Sequence, residues 1–139
     1  MRVLNIGCGP IEPGEYPGLE IVNADRRDYD YVEVQDMEHL TYPDASFDLV
    51  VCVNALDHTP NARKAIEEIL RVSNGWVHID CALIQHSTSG KRHFWDALED
   101  GTFKSDTDEF NITEYGFTVQ LIDNHGERRY NHVICRYSK

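Results

Sequence analysis

The feature that most constrains this chain sits at its start. Val3-Leu4-Asn5-Ile6 is an apolar run with one polar member, closed at once by Gly7-Cys8-Gly9-Pro10. Such a run reads as a short buried strand, and its glycine turn lets the backbone approach a ligand closely. A second run, Leu19 to Ala24, reaches Asp25, 18 residues beyond Gly7. In dinucleotide folds an acid about 20 residues on meets a ribose hydroxyl. A glycine pair alone is a weak signal. With an acid at the end of the next strand it points to a nucleoside-containing ligand; the plain alternative is a tight turn beside a solvated aspartate.

What is missing narrows the ligand. A dinucleotide site needs a third glycine and a helix N-terminus facing the pyrophosphate. Here Glu12 holds the third glycine position, and prolines at 10, 13 and 17 with glycines at 14 and 18 argue against a long helix after the turn. A carboxylate beside a pyrophosphate repels it. No Walker phosphate loop is present either. The expected ligand therefore lacks phosphate. S-adenosylmethionine fits, with an adenosine and a sulfonium cation suited to an acidic site.

The remaining pattern predicts an α/β sheet. Tyr31 to Val34 is a short third strand, and Phe47 to Val53 is a continuous, β-branched-rich strand of the kind covered on both faces. Thr59-Pro60 predicts a helix start. Ala62, Ala65, Ile66, Ile69 and Leu70 then follow at the spacing of one buried helix face, and Asn74-Gly75 reads as its stop. Trp76 to Leu83 is a fifth strand. Lys91 to Glu99 reads as a helix or as one arm of a hairpin turning at Asp100-Gly101, and the hairpin is favoured. Phe117 to Ile122 and His132 to Tyr137, joined through a turn holding His125-Gly126, form a closing antiparallel hairpin. The sheet should be mostly parallel, antiparallel at one edge, in a single domain spanning residues 1–139.

The runs VLNIGCGP, Asn23-Ala24-Asp25 and VQDMEHLTYPDASFDLVVCVNALDHTPNARKAIEEILRV together resemble class I S-adenosylmethionine-dependent methyltransferases, over roughly residues 2 to 83. The resemblance implies a Rossmann-like sheet with a C-terminal antiparallel hairpin. It implies that Asn5, Gly7, Cys8 and Gly9 cradle the methionine part of the cofactor and that Asp25 binds the ribose. By the same resemblance Asp36 and Met37 hold the adenine, and Asn54, Ala55 and His58 line the cofactor and face the acceptor. Three departures stand out. Asn5 replaces the usual acid of the first motif. The loop from Pro10 to Gly18 stands where the first helix would be. Arg26 to Asp30 leaves too little chain for the second. The resemblance thus implies a methyltransferase sheet with reduced helices.

His58, just past the fourth strand, is the candidate general base, with Asp57 orienting it or acting alone; the alternative is that the pair only shapes the start of the next helix. His86, His93 and Trp95 fall where an acceptor is faced in this fold, although Trp95 reads better as a packing residue. His78 and Asp80 share a strand face and suit a satisfied polar pair. The seven histidines form no HExxH and no Cys/His cluster at zinc spacing, so no metal is expected. No GxSxG elbow supports hydrolase chemistry.

Composition limits the partners. With 24 acidic against 13 basic residues, a net charge of -11 disfavours nucleic acid. No apolar run approaches the roughly 20 residues of a membrane span, and the start carries no secretory signal pattern. Cys8, Cys52, Cys81 and Cys135 form no CxxC pair and read as free thiols of a reducing, cytoplasmic compartment. The expected activity is methyl transfer from S-adenosylmethionine to a small-molecule acceptor, the alternative being a non-catalytic binding or protein-interaction module on the same fold. Thinned helical layers also make a homodimer plausible.

Overall fold

The computed structural model describes residues 1–12, 14–83, 94–122 and 131–139. Its parallel strands are β1 (Arg2–Ile6), β2 (Glu20–Asp25), β3 (Glu33–Val34) and β4 (Phe47–Val53). Helix α1 (Ala62–Val72) then leads into β5 (Ser73–Ala82). Three short strands follow, β6 (Asp96–Ala97), β7 (Thr102–Lys104) and β8 (Glu109–Asn111). The last two are β9 (Thr118–Ile122) and β10 (His132–Ser138). The main sheet has seven strands in the order β3-β2-β1-β4-β5-β10-β9. Its pairings are parallel from β3 through β5 and antiparallel for β5–β10 and β10–β9. The mostly parallel sheet with an antiparallel closing hairpin is as the sequence predicts. The turn at His125-Gly126 lies outside the described residues.

Alternation of side chains sets the core. Leu4, Ile6, Val50, Cys52, Ile79 and Cys135 point to one face and are at most 1% exposed. Against that face packs the apolar stripe of α1, with Ala62, Ala65, Ile66, Ile69 and Val72 fully buried. Burial pushes the Cys52 and Cys135 thiols up to about 12, so they stay protonated and behave as small apolar groups. Among the described residues α1 is the single α-helix. The loop from Pro10 to Gly18 and the short crossing from Arg26 contribute none, as their prolines, glycines and length dictate.

Three local expectations change. The helix cap is Asn61, whose side chain accepts the Lys64 N–H at 3.1 Å, not Thr59. Thr59 is already engaged with Glu38, 2.7 Å away, so the helix starts two residues later than Thr59-Pro60 suggests. The helix end at Ser73 is extended rather than left-handed, and β5 begins there directly, so Asn74-Gly75 lies within a strand. A Cβ at Gly75 would stand 2.8 Å from the Asp48 carbonyl oxygen, which is why glycine serves there. Finally, Asp80 pairs with His132 (2.7 Å) on the neighbouring strand.

The segment around Asp100-Gly101 is a hairpin, with Gly101 at φ +87, and β8 extends it to a small three-stranded sheet. That third strand was not expected, though Asn111 and Glu114 form a capping box that the sequence displays. Trp95 is 4% exposed and packs edge-on to Phe110, which confirms its packing role. His86 and His93 lie outside the described residues.

The last turn of α1 holds the long connection from β3 to β4. Arg71 donates to the carbonyls of Leu40 and Tyr42, to Asp44, and through two bonds to Glu68, using all five guanidinium N–H groups at 2.8–3.0 Å. Glu68 in turn accepts the Leu40 N–H at 2.8 Å. Arg71 holds the Glu68 carboxyl below the usual carboxylate range. Removing one partner of such a network costs about 3–5 kcal/mol when fully buried. The Arg71 side chain is 30% exposed, so Arg71→Met should cost about 2 kcal/mol in urea unfolding. A lowered carboxyl contributes stability above its unfolded pKa of about 4.3 and loses it as pH falls through the folded value. The variant should therefore lose less stability than the wild type on acidification below pH ~4.3.

Candidate functional site

The site grows from two turns that touch. After β1, Gly7 and Gly9 take φ of +70 and +64, and the N–H groups of Gly7 and Cys8 both donate to the Ala24 carbonyl (2.8 and 3.2 Å). A Cβ at position 7 would overlap the Cβ of Ala55, on the turn that leaves β4. Glycine is thus required for these two strand ends to meet. Nothing lies within 4 Å of the place a Gly9 Cβ would take, so that stretch of backbone faces open space.

The end of β2 completes the floor. Asp25 accepts the Gly9 N–H on Oδ2 (2.9 Å) and the Arg27 N–H on Oδ1 (3.0 Å). Each oxygen keeps a lone pair for a further donor. Asp36 accepts the Glu38 N–H at 2.9 Å, and the Met37 methyl reaches over the Gly7 turn. On the other side Asn54 sits at φ +51; its N–H donates to the Asp80 carbonyl (2.7 Å) and its Oδ1 accepts the Ala82 N–H (2.9 Å). The Asn54 side chain therefore fastens β5, while the residue itself lines the wall.

These strand ends enclose a cleft of about 960 Å³, lined by Gly7, Cys8, Gly9, Asp25, Asp36, Met37, Asn54, Ala55 and His58. Nine of the eleven sequence-predicted residues are brought together. Asn5 is not among the lining residues; its amide donates to Asn23 Oδ1 (3.0 Å) across β1 and β2. Nor is Asp57, which is 5% exposed and places Oδ2 3.9 Å from His58 Nε2. Its carbonyl accepts the Phe94 and Trp95 N–H groups, tying the small sheet to the main one.

Sequence reasoning missed Glu38, Thr59, Tyr29, Gln35, Arg26 and Arg27 in the lining. Glu38 could have been found beside Asp36, because it bridges the two walls through Thr59 Oγ1 (2.7 Å) and the Asn61 N–H (3.2 Å). Burial and Asp25 raise the Cys8 thiol, which also donates to the Gly9 carbonyl, so it is not a thiolate nucleophile. Three carboxylates at the strand ends suit hydroxyl donors and a cation. Among the described residues no Cys, His or acidic cluster is arranged to hold a metal ion, and no helix is long and apolar enough to cross a membrane.

A family model described as a methyltransferase domain matches residues 16–79. The sequence is 32% identical over 93 residues to sterol 24-C-methyltransferase of Yarrowia lipolytica, covering 52% of this chain and 24% of that enzyme. The chain thus spans about a quarter of the length of that curated relative. In structure it resembles an S-adenosylmethionine-dependent methyltransferase from Methanosarcina mazei, with a TM-score of 0.61, 15% identity and coverage of 99% of this chain and 92% of that one. It also resembles the [4+2]-cyclase SpnF, with a TM-score of 0.67, 16% identity and coverage of 99% and 74%.

Residues 16–79 thus match a methyltransferase domain, and the fold is that of S-adenosylmethionine-dependent methyltransferases. The donor set of the cleft suits S-adenosylmethionine, an adenosine joined to a cation. Spare lone pairs on Asp25 match ribose hydroxyls, the open backbone at Gly9 leaves room that a Cβ would fill, and the carboxylates match a cation. Among the described residues no helix follows the glycine turn to face a pyrophosphate.

Gly7→Ala should destabilise the domain by about 1–3 kcal/mol through overpacking against Ala55, with the left-handed backbone adding about 1 kcal/mol. Gly9→Ala meets no atom and should cost about 1 kcal/mol for the backbone alone. Thermal unfolding of the two variants side by side checks the difference.

Proposed function

We propose that this cleft holds S-adenosylmethionine through Gly7, Cys8, Gly9, Asp25, Asp36, Met37, Asn54 and Ala55, and that the domain transfers the methyl group to a small-molecule acceptor. When bound, the cofactor supplies a sulfonium methyl for displacement by a nucleophile. The observation that carries the reading is the Gly9–Asp25 bond at the end of β2. It fixes a carboxylate at the rim of a glycine turn with acceptor capacity left over.

The chain's own groups divide the work. Asp25 accepts ribose hydroxyls, and Asp36 with Met37 frames the adenine edge and face. The N–H groups of Gly7 and Cys8 are committed to Ala24, so in this turn their role is to set backbone shape rather than to bind. Glu38 keeps the Asp36–Met37 wall at a fixed distance from Thr59 and the start of α1. His58 lines the cleft beside the turn from β4 and takes the acceptor's proton where one must leave. Buried Asp57, 3.9 Å from the imidazole, orients it. Much of the rate comes from holding the reactants in line and excluding water. Asn5, bonded to Asn23 outside the cleft lining, gives no direct contact in this reading.

Calorimetry with S-adenosylmethionine, its demethylated product and NAD tests the cofactor site. The two sulfur nucleosides should bind in the micromolar range and NAD should not. Asp25→Ala should weaken them about tenfold or more, for loss of a charge-assisted hydrogen bond. Failure of both nucleosides to bind would sink the assignment. In a screen of methyl acceptors, His58→Gln should lower turnover about 10²-fold or more while leaving the cofactor Kd unchanged. Binding with no transfer to any acceptor would favour a non-catalytic module.

A further inference from the structure

Among the described residues no helix covers one face of the main sheet, and its side chains fall into three cross-strand rows. The first row is Val3, Leu49 and Trp76. The second runs from Asn5 through Val51 and His78 to Arg136. The third is Val53, Asp80 and Ile134. Trp76 is 59% exposed and Val53 42%, although both sit on interior strands. A large aromatic on the open face of an interior strand is a residue waiting for a cover.

Two properties say what the cover is. Two polar groups of the face, Asn5 and Asp80, are already paired internally. The Asn5 amide bonds Asn23 (3.0 Å) and Asp80 bonds His132 (2.7 Å). Covering these two with an apolar surface therefore strands no hydrogen bond of theirs. The charge is also uneven. The chain carries 24 acidic residues, yet these three rows hold one, Asp80, together with His78 and Arg136. Two copies at net charge -11 meet little carboxylate repulsion across a face that carries one acid.

We infer that this open sheet face is the interface of a symmetric homodimer, two copies packing sheet to sheet across Val51, Val53, Trp76 and Ile134. The area suffices. From β2 to β9 the sheet has six strands about 4.8 Å apart, each running about six residues of about 3.3 Å, which gives a footprint of about 600 Å² per copy. The pair then buries about 1,200 Å², the lower end of specific interfaces. Because the face is shared, one contact is made twice and the assembly closes.

Sedimentation velocity on the full chain across the micromolar range tests this. The wild type should show a monomer–dimer equilibrium that strengthens as salt is raised, since salt screens the repulsion between two acidic copies. Trp76→Glu and, separately, Val53→Glu should each weaken dimerisation at least tenfold. Both positions are exposed in the single chain, so thermal unfolding at low concentration should move little. Leu98→Glu, equally exposed but on the β6–β7 hairpin, should leave the equilibrium unchanged. A wild type that stays monomeric throughout overturns the inference, and so does a dimer that neither sheet-face variant disturbs. Calorimetry of Trp76→Glu with S-adenosylmethionine keeps this outcome separate from the cofactor reading, which does not depend on it.

Discussion

The rest of the structure hangs on the last turn of α1. A seven-stranded sheet served by one described helix has few places to anchor its crossings. Arg71 supplies the anchor. Its five N–H groups hold the carbonyls of Leu40 and Tyr42, the Asp44 carboxylate and Glu68. Glu68 returns a bond to the Leu40 N–H. A planar fork with five donors does what a lysine ammonium does not, because it grips several points of one loop in a fixed geometry. The Asp36–Met37–Glu38 wall lies just ahead of that loop. At the other end of the helix Glu38 reaches Thr59 and the Asn61 N–H. One helix therefore sets the wall of the cleft from both its ends.

The second determinant is a contact that only glycine permits. Gly7 brings the β1 turn onto Ala55, and this brings the glycine turn, Asp25 and the turn after β4 around one cleft. The geometry needs no helix after the glycine turn. A fold that keeps its strand ends but loses the helix between β1 and β2 keeps a nucleoside site and loses a pyrophosphate site.

The sheet was legible because its strands are runs of Val, Ile, Leu and Phe punctuated by glycine and proline, and the span Phe47 to Val53 was read with its observed limits. Cleft residues at strand ends were legible for the same reason, since Gly7, Asp25 and Asn54 each mark where a run stops. Residues whose role depends on a partner distant in sequence were not. Thr59 resembles a helix cap until Glu38 is seen to occupy its hydroxyl. Asp80 seems matched to His78 on its own strand until register brings His132 to it. Asn5 belongs to the glycine motif by position, yet its amide turns to Asn23. The strand β8 is three residues long, too short for a periodic signal, and only its capping box announces it.

Asn5 belongs to the open face rather than to the cleft. In the methyltransferases that the sequence resembles this position carries an acid, which here would stand in the middle of a sheet face that no described helix covers. Burying an unpaired carboxylate there costs far more than burying an amide that meets a second amide. The Asn5–Asn23 pair is neutral and internally satisfied, and it sits in the same row as Val51. The substitution removes one acid from an acidic chain at the place where a covering surface would have to desolvate it. A neutral pair at position 5 thus leaves the open face free of a central carboxylate, while Asp25, at the strand end, places its carboxylate in the cleft.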